Sequence, residues 1–366
     1  MPDVIRILLL ADTHLGFDLP VQARVKRRRR GHDFLANFAT ALAPAMRGDV
    51  DLVVHGGDVF NRSRPPASVV YQAFEPLVRI ADRGIPVYVV PGNHERGRIP
   101  HLRFAQHPGI HVFDRPRTFV ADIRGVRVAL AGFPSERDDV RAKFAGLVRD
   151  TVWRETGADA RLLCLHQCVE GATVGPANYT FTNASDVIRG RDIPAGFLAV
   201  LTGHIHRHQV LTRDLQGRAL HAPVLYPGSI ERTSFAEADE EKGYMRLDLE
   251  CARAGVQLNW RFCGLPARPL VRHDLDLDAT PASDLERMLR SIVATAPSDA
   301  VLTLRIVGQF SEVASRVLSA ASLRSIVPET MNVELRLPDM TSIDERVAQP
   351  RKAASISDLP LFGGSS

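Results

Sequence analysis

The chain has 366 residues, of which 45% are hydrophobic and 24% are charged. This is a globular composition, and it excludes collagen-like, wholly disordered and coiled-coil chains. The formal net charge of +4 is on its own a weak indication of a nucleic-acid partner. No apolar stretch approaches the roughly 20 residues of a membrane span, and the four cysteines form no zinc-binding or disulfide pattern. With no signal-peptide pattern at the start, we expect a cytoplasmic protein with reduced cysteines and no membrane association.

Short apolar runs alternate with helical patterns over the first two-thirds of the chain. The runs predict buried strands at Val4–Ala11, Asp51–His55, Ile85–Val90, Val126–Ala131, Arg161–Leu165 and Leu198–Leu201. Apolar residues at helical spacing predict one helix over Phe34–Ala45 and another over Val69–Ala81. This alternation indicates a layered α/β core.

The last third of the chain predicts the end of this domain and then a second, smaller one. Leu225–Ile230, Gly243–Glu250 and Gly255–Phe262 predict consecutive strands that close a mixed second sheet. We expect residues 1–265 to form the main domain and residues 266–338 a small βαβαβ domain. Its elements are predicted at Leu270–Leu277, Ser283–Ala294, Ala300–Val307, Glu312–Ala321 and Asn332–Leu337. Residues 339–366 are polar and aperiodic, which predicts a flexible tail.

Polar side chains follow five of the predicted strands. They are Asp12-Thr13-His14, Gly57-Asp58, Gly92-Asn93-His94-Glu95, His166 and Gly203-His204-Ile205-His206. Open α/β sheets place ligand sites at the carboxyl ends of their strands. A single such residue is readily explained as a core histidine or a helix cap, but five motifs in chain order indicate one shared site.

The residue types at these positions suit metal ions. Carboxylate, amide and imidazole ligands match borderline divalent ions such as Mn, Fe or Zn. Seven candidates are too many for one ion, and they fit two ions that share a carboxylate about 3.5–4 Å apart, the arrangement used for phosphoester hydrolysis. The candidates are Asp12, His14, Asp58, Asn93, His166, His204 and His206. We expect two divalent ions, with Mn²⁺ as the metal.

These motifs resemble the signature of calcineurin-like metallophosphoesterases over about residues 1–265. The resemblance implies a four-layer αββα sandwich with a dinuclear centre. It implies one ion on Asp12, His14, Asp58 and His206, and a second on Asp58, Asn93, His166 and His204, with Asp58 as the bridge.

Two neighbours of these ligands have predicted roles of their own. His94 is left without a metal in the implied scheme, which makes it the candidate general acid or transition-state donor. Glu95 stands where the family commonly has Asp, and we expect it behind the ligands, orienting a histidine.

Longer segments are similar to SbcD-type DNA repair nucleases. They are Ala11–Gly16, Gly57–Asn61 with Arg64-Pro65, Tyr226–Arg232 and Ser234–Tyr244. The resemblance implies a DNA nuclease of the 3′–5′ exonuclease type, with endonuclease activity as well, that acts at double-stranded ends or hairpins in repair. It also places a DNA-capping domain where the small βαβαβ domain lies. The alternative is a metallophosphoesterase acting on small phosphodiesters, nucleotides or phosphoproteins, because its catalytic motifs would be identical.

Several basic residues are candidates for DNA contacts. Six of the seven residues in Arg24–Arg30 are basic, and a run of this density predicts either phosphate contact or a solvated face. From this run we select Arg27, Arg28, Arg29 and Arg30. Arg64 and Arg232, in the SbcD-like segments, are two further candidates.

Partners are implied by resemblance and by one segment of the tail. The resemblance implies docking of an SMC-like ATPase, SbcC, and a homodimer; the alternative to ATPase docking is that the protein acts alone or docks differently, because residues 339–366 show no amphipathic pattern. Asp358–Phe362 resembles the pentapeptide with which bacterial proteins bind the sliding clamp, with Leu359, Leu361 and Phe362 as the contact residues. The alternative for this segment is packing against its own domain.

Overall fold

The computed structural model describes residues 3–18, 29–95, 106–252 and 255–336. The predicted tail over 339–366 therefore lies outside the described residues. The chain forms two compact units. Within the described residues, the first comprises the chain up to Val271, Pro297–Val301 and Pro328–Asn332, and the second comprises Arg272–Ala296, Leu302–Val327 and 333–336.

Nineteen strands and six helices are present among the described residues. The helices are α1 Arg30–Arg47, α2 Ala67–Ala81, α3 Val140–Asp150, α4 Leu285–Thr295, α5 Glu312–Val317 and α6 Ala320–Ile326. The first ten strands are β1 Asp3–Leu10, β2 Leu52–His55, β3 Val87–Val89, β4 Ile110–Val112, β5 Arg117–Ile123, β6 Val126–Gly132, β7 Ala160–His166, β8 Cys168–Val169, β9 Thr173–Val174 and β10 Tyr179–Thr180. The remaining strands are β11 Val187–Ile188, β12 Ala199–Gly203, β13 Gln209–Arg213, β14 Ala219–Tyr226, β15 Lys242–Ala252, β16 Gly255–Leu265, β17 Leu270–Asp276, β18 Val301–Val307 and β19 Asn332–Arg336. None of these helices combines the length and the apolar character of a transmembrane span.

The first sheet has the order β16-β15-β1-β2-β3-β4. Strands β1 to β4 run parallel, so their carboxyl ends lie at one edge. Strand β1 shows why the sheet is covered on both sides, because its apolar side chains alternate between two faces. Leu8 and Leu10 are buried in the cluster formed with α1 and α2, whereas Ile7 and Leu9 are buried in the cluster shared with the second sheet.

The second sheet has the order β13-β14-β12-β7-β6-β5. Its central strands β6, β7, β12 and β14 are parallel, with β5 and β13 antiparallel at the two sides. Leu130, Leu162 and Leu201 of this sheet join the buried cluster between the sheets. Helix α3 packs beyond the end of β6, where Phe144 contacts Phe133 edge-to-face. The predicted layered α/β core is confirmed.

Three strand predictions are corrected by the structure. Strands β15 and β16 extend the first sheet and do not close the second one: β15 pairs antiparallel with β1, and β16 pairs antiparallel with β15. The strand predicted at Leu225–Ile230 is observed earlier, at Ala219–Tyr226. It ends before Pro227, whose missing N–H cannot contribute to a strand ladder.

The three-stranded sheet β17-β18-β19 and helices α4 to α6 provide the elements predicted after residue 266. In the second unit, Leu289, Leu302 and Leu304 are fully buried. The helix predicted over Glu312–Ala321 is two helices, because the side chain of Ser319 accepts a hydrogen bond from the Ser322 amide and so caps α6. Serine is favoured at such helix starts.

The inter-sheet core predicts a clear cost for cavity formation. Leu9 is fully buried, so Leu9→Ala should lower the free energy of unfolding by about 2–5 kcal/mol, measured by urea denaturation. Leu215→Ala is the matched control, since Leu215 is 41% exposed, and it should change stability by less than about 0.5 kcal/mol. Equal effects of the two substitutions would contradict this packing.

Candidate metal centre

Loops at the carboxyl ends of β1, β2, β3, β7 and β12 converge on one cluster of polar side chains. The first two loops are joined by backbone hydrogen bonds, in which Asp12 N donates to Gly57 O at 2.9 Å and His14 N donates to Asp58 O at 3.0 Å. These bonds continue the β1–β2 pairing beyond the strands. The candidate ligands of the two loops are therefore fixed to each other through the main chain.

The backbone at the cluster is strained. Nine described non-glycine residues have positive φ, and four of them are candidate ligands: Asp12 (51°), His14 (42°), Asp58 (51°) and His204 (82°). Such conformations cost about 1–3 kcal/mol each and collect at functional sites.

The Asp58 carboxylate lies at the centre of the cluster. Its Oδ2 is 3.5 Å from His166 Nε2, 3.8 Å from His94 Nε2 and 3.9 Å from His14 Nε2. Its Oδ1 accepts a hydrogen bond from the His94 amide at 2.9 Å. Burial would raise the pKa of Asp58, but His166 and the other histidines outweigh it and hold the pKa well below its ordinary value. Asp58 is therefore a buried anion that several donor atoms approach.

Asn93 links two further histidines to this centre. Its Oδ1 lies 2.8 Å from His166 Nε2 and 3.0 Å from His204 Nδ1. The His204 amide in turn donates to both carboxylate oxygens of Asp12 at 3.1 Å. His14 and His206 complete the set, with their Nε2 atoms 3.0 Å apart. All seven predicted ligands therefore lie in one cluster.

The arrangement of nitrogens and oxygens fits bound cations. His166 Nδ1 donates to Gly56 O at 2.8 Å, so in a neutral ring the lone pair of Nε2 would face the oxygens of Asn93 and Asp58. A cation between these atoms, or a proton on Nε2, removes that repulsion. Burial lowers the pKa of His166, but the Asp58 charge outweighs it and raises the pKa to about 9. His14 Nδ1 is buried without a hydrogen-bond partner among the described residues.

Three overlapping groups of side chains could each hold an ion. They are Asp12, His14 and His206; His14, Asp58 and His94; and Asp12, Asp58 and His166, with ligand atoms within 4.8 Å of one another in each group. Carboxylate oxygen and imidazole nitrogen suit borderline divalent metals. The overlap through Asp12, His14 and Asp58 is the geometry expected for neighbouring ions that share ligands.

His94 lies beside the cluster and is accessible. Its side chain is 22% exposed, and its Nδ1 lies 2.8 Å from Asn61 O. Because a carbonyl oxygen only accepts, Nδ1 carries the proton and donates, which leaves Nε2 directed toward the Asp58 side of the cluster. His94 can thus hold or transfer a proton at Nε2, and its grouping with His14 and Asp58 also makes it a candidate ligand.

Two glycines make the close approach possible. A Cβ on Gly57 would overlap the imidazole of His166, and a Cβ on Gly92 would overlap the carboxylate of Asp58. Gly57 also has a φ of 103°, which side chains rarely tolerate. These strand-end glycines are therefore required by packing against the candidate ligands.

Glu95 has a different role from the one predicted. Its carboxylate accepts hydrogen bonds from the amides of Phe60 at 2.9 Å and Gly92 at 2.8 Å, whereas the prediction gave it a histidine to orient. Burial and the nearby Asp58 raise its pKa to about 8. Glu95 thus ties the β2 and β3 loops together behind the cluster.

A buried ion-pair network behind His206 was missed by sequence reasoning. Glu237 Oε1 lies 3.1 Å from His206 Nδ1, and its Oε2 lies 2.6 Å from Lys242 Nζ. Lys242 is fully buried and also donates to His206 O at 3.0 Å. The only sequence signal was the SbcD-like segment Ser234–Tyr244, which carries no metal-ligand spacing.

Two of the predicted DNA-contacting arginines have internal partners. Arg30 is buried and its guanidinium donates to Arg232 O and lies 3.6 Å from Glu231. Arg232 donates to the carbonyls of Glu237, Glu240 and Arg268 at 2.7–3.0 Å. Arg30 and Arg232 therefore have a structural role, since their N–H groups fasten the chain around residues 229–240, and their contact with DNA stays a prediction.

Of the remaining DNA and clamp candidates, two are described by the structure and the others are not. Arg29 forms an ion pair with Asp18 at the start of α1, and Arg64 is exposed. Arg27, Arg28 and the clamp-motif residues Leu359, Leu361 and Phe362 lie outside the described residues.

Two packed mixed sheets with an Asp/His/Asn cluster at their strand ends define a metallohydrolase-type protein. The family model for calcineurin-like phosphoesterases matches residues 5–208, and the chain belongs to this family. The family uses a dinuclear metal site, which the overlapping Asp/His groups fit.

Curated relatives are named as nucleases or repair proteins. The chain is 26% identical over 362 residues to the DNA double-strand break repair protein Mre11 of Archaeoglobus fulgidus, covering 89% of this chain and 76% of the relative. It is 26% identical over 297 residues to the SbcD component of the SbcCD nuclease of Bacillus subtilis, covering 73% and 71%. An Mre11 of Methanopyrus kandleri is 26% identical over 249 residues, covering 65% of this chain and 51% of the relative, so the chain spans about half of that protein.

The contact of Glu237 with His206 predicts that metal affinity falls when the charge of Glu237 is removed. Glu237→Gln should weaken Mn²⁺ binding about 10–100-fold, because carboxylate partners orient ligating histidines and raise their basicity. Isothermal titration with Mn²⁺ measures this, with Glu250→Gln on β15 as the control, whose side chain bonds Asn259. Unchanged affinity in Glu237→Gln would contradict the assignment.

His55 predicts a component of acid sensitivity. Burial lowers its pKa to about 3, with Thr13 Oγ1 3.0 Å from Nε2 and the Gly57 amide 3.2 Å from Nδ1. The folded state binds this proton more weakly than the unfolded state, so stability falls as the pH drops below about 6.5, by about 2 kcal/mol at pH 5. Urea unfolding in EDTA at pH 7 and pH 5 should show that His55→Gln lacks this loss. An equal loss in both proteins would contradict it.

Proposed function

We propose that this protein is a metal-dependent nuclease that hydrolyses phosphodiester bonds in DNA. The observation that carries the proposal is the convergence of three histidine nitrogens on the buried Asp58 carboxylate, within 3.9 Å of Oδ2. Its similarity to Mre11 and SbcD relatives favours DNA over a small phosphodiester as the substrate.

Two divalent ions, Mn²⁺ in this proposal, occupy the cluster. Asp12, His14, Asp58 and His206 hold one ion, and Asp58, Asn93, His166 and His204 hold the other. When bound, such ions lower the pKa of water and stabilise negative charge on phosphoryl oxygens. The hydrogen bonds between the loop backbones, and those that Glu95 accepts from the Phe60 and Gly92 amides, keep these ligands in place before the substrate arrives.

His94 donates a proton to the leaving group. Its Nδ1–H is occupied by Asn61 O, so only Nε2 is free to donate a proton to the departing oxygen. Its partial exposure gives the substrate access to this atom. A positioned acid of this kind accelerates hydrolysis by typically 10²–10⁴-fold.

The proposal extends to the setting in which the nuclease works. It is a 3′–5′ exonuclease with endonuclease activity at duplex ends and hairpins, and it acts in DNA repair as a homodimer with an SMC-like ATPase of the SbcC type. The tail segment Asp358–Phe362 binds the sliding clamp. The clamp role rests only on the resemblance of this segment to a clamp-binding pentapeptide, and the other roles rest on the SbcD-like segments and on the related nuclease component of Bacillus subtilis.

Hydrolysis of labelled linear duplex DNA with Mn²⁺ tests the proposed activity. The wild type should degrade the duplex, EDTA should abolish the reaction, and His94→Ala should lower the rate constant about 10²–10⁴-fold because the proton donor is gone. His221→Ala is the matched control, since His221 lies exposed on β14.

Two results would contradict the proposal. In the first, the wild type hydrolyses bis(p-nitrophenyl) phosphate but leaves the DNA duplex intact. This result would favour an esterase that acts on small substrates. The other is an equal rate in His94→Ala and wild type, which would remove His94 from proton transfer.

A further inference from the structure

The loop after β6 brings an arginine to the cluster that no strand-end motif contains. Ser135 N donates to Pro91 O at 2.8 Å, and Gln167 Nε2 donates to Glu136 O at 2.9 Å. These two bonds fix the loop between the β3 and β7 ends. The next residue, Arg137, donates from Nη2 to Asn93 O.

Among the residues that the structure describes, no acid forms an ion pair with Arg137. Arg137 is exposed, and within the described ranges its guanidinium makes this one hydrogen bond and no ion pair. Glu136 is turned toward Lys143, 3.2 Å away, and Asp139 caps α3 by accepting from the Ala142 amide. Most of the guanidinium N–H groups are therefore free to bind an anion.

Its position places that charge at the rim of the candidate metal centre. The backbone of Asn93 carries the carbonyl that Arg137 contacts, and the side chain of the same residue contacts His166 and His204. An arginine fork matches the geometry of phosphate oxygens. A nucleic acid has phosphates on both sides of the bond being cut, whereas a small phosphodiester has only the one at the metals.

We propose that Arg137 binds a non-bridging oxygen of a DNA phosphate next to the scissile one, and so selects a polymeric substrate over a small ester. This inference rests on the proposed function, since it assumes that the cluster acts on DNA. Arg137 is exposed, whereas Arg30 is buried beside Glu231 and the half-buried Arg232 donates to three backbone carbonyls.

Equilibrium binding of a fluorescein-labelled 20-bp duplex, followed by anisotropy in EDTA over a series of KCl concentrations, tests this contact without catalysis. Arg137→Ala should weaken binding about tenfold at low salt. It should also reduce the slope of log K against log[KCl] by about 0.9, the value for one lost phosphate contact. Arg137→Lys should retain most of the slope. Arg83→Ala is the matched control, because Arg83 is exposed between α2 and β3, at the opposite ends of the strands, and should match wild type.

Hydrolysis of bis(p-nitrophenyl) phosphate with Mn²⁺ distinguishes two roles of Arg137, which are contact with DNA and support of the loop that carries Asn93. Arg137→Ala should hydrolyse this ester within twofold of wild type. Unchanged DNA affinity and salt slope in Arg137→Ala would overturn the inference, as would a loss of ester hydrolysis and Mn²⁺ binding with DNA affinity intact. Weakened DNA binding in Arg137→Ala together with a wild type that never cleaves DNA would support the contact and refute the nuclease function.

Discussion

The buried charge of Asp58 is the constraint on which the rest of the site depends. A carboxylate without water is costly unless partners compensate it, and here three histidine nitrogens lie within 3.9 Å of one oxygen. The loops that bring these nitrogens together adopt left-handed backbone conformations at Asp12, His14, Asp58 and His204. Such strain persists only where the surroundings hold it, and the hydrogen bonds between strand-end loops provide that support.

Several arginines of this protein stabilise its own fold, through hydrogen bonds to backbone carbonyls. Arg268 donates to the carbonyls of Asp299, Ala300 and Thr330 and pairs with Asp33. Together with Arg30 and Arg232 it fastens the segment that carries Glu237 and Lys242, which in turn contact His206. A count of arginines therefore does not locate a DNA-binding surface. The location of an exposed guanidinium group that forms no ion pair within the described residues, such as that of Arg137, is the more informative quantity.

The sequence predicts the metal-ligand cluster because parallel strands have their carboxyl ends at one edge of the sheet. Motifs that follow such strands therefore meet, and no knowledge of contacts between distant segments is needed to predict it. The sequence does not predict which sheet β15 and β16 join, since the edge that an added strand takes depends on which neighbouring strand is unpaired in three dimensions. The Glu237–Lys242 network was missed for the same reason, because its charges meet His206 only after folding. Arg30 shows the converse case, because a charge within a basic run is buried beside Glu231 and the Arg232 carbonyl, about 200 residues away in sequence.

The most direct measurement of the shared-carboxylate arrangement is anomalous diffraction at the manganese edge from crystals soaked in Mn²⁺. We expect two peaks about 3.5–4 Å apart, both within bonding distance of the Asp58 carboxylate, and the loss of both in Asp58→Asn. A single peak, or two peaks of which one is bound without Asp58, would contradict this arrangement.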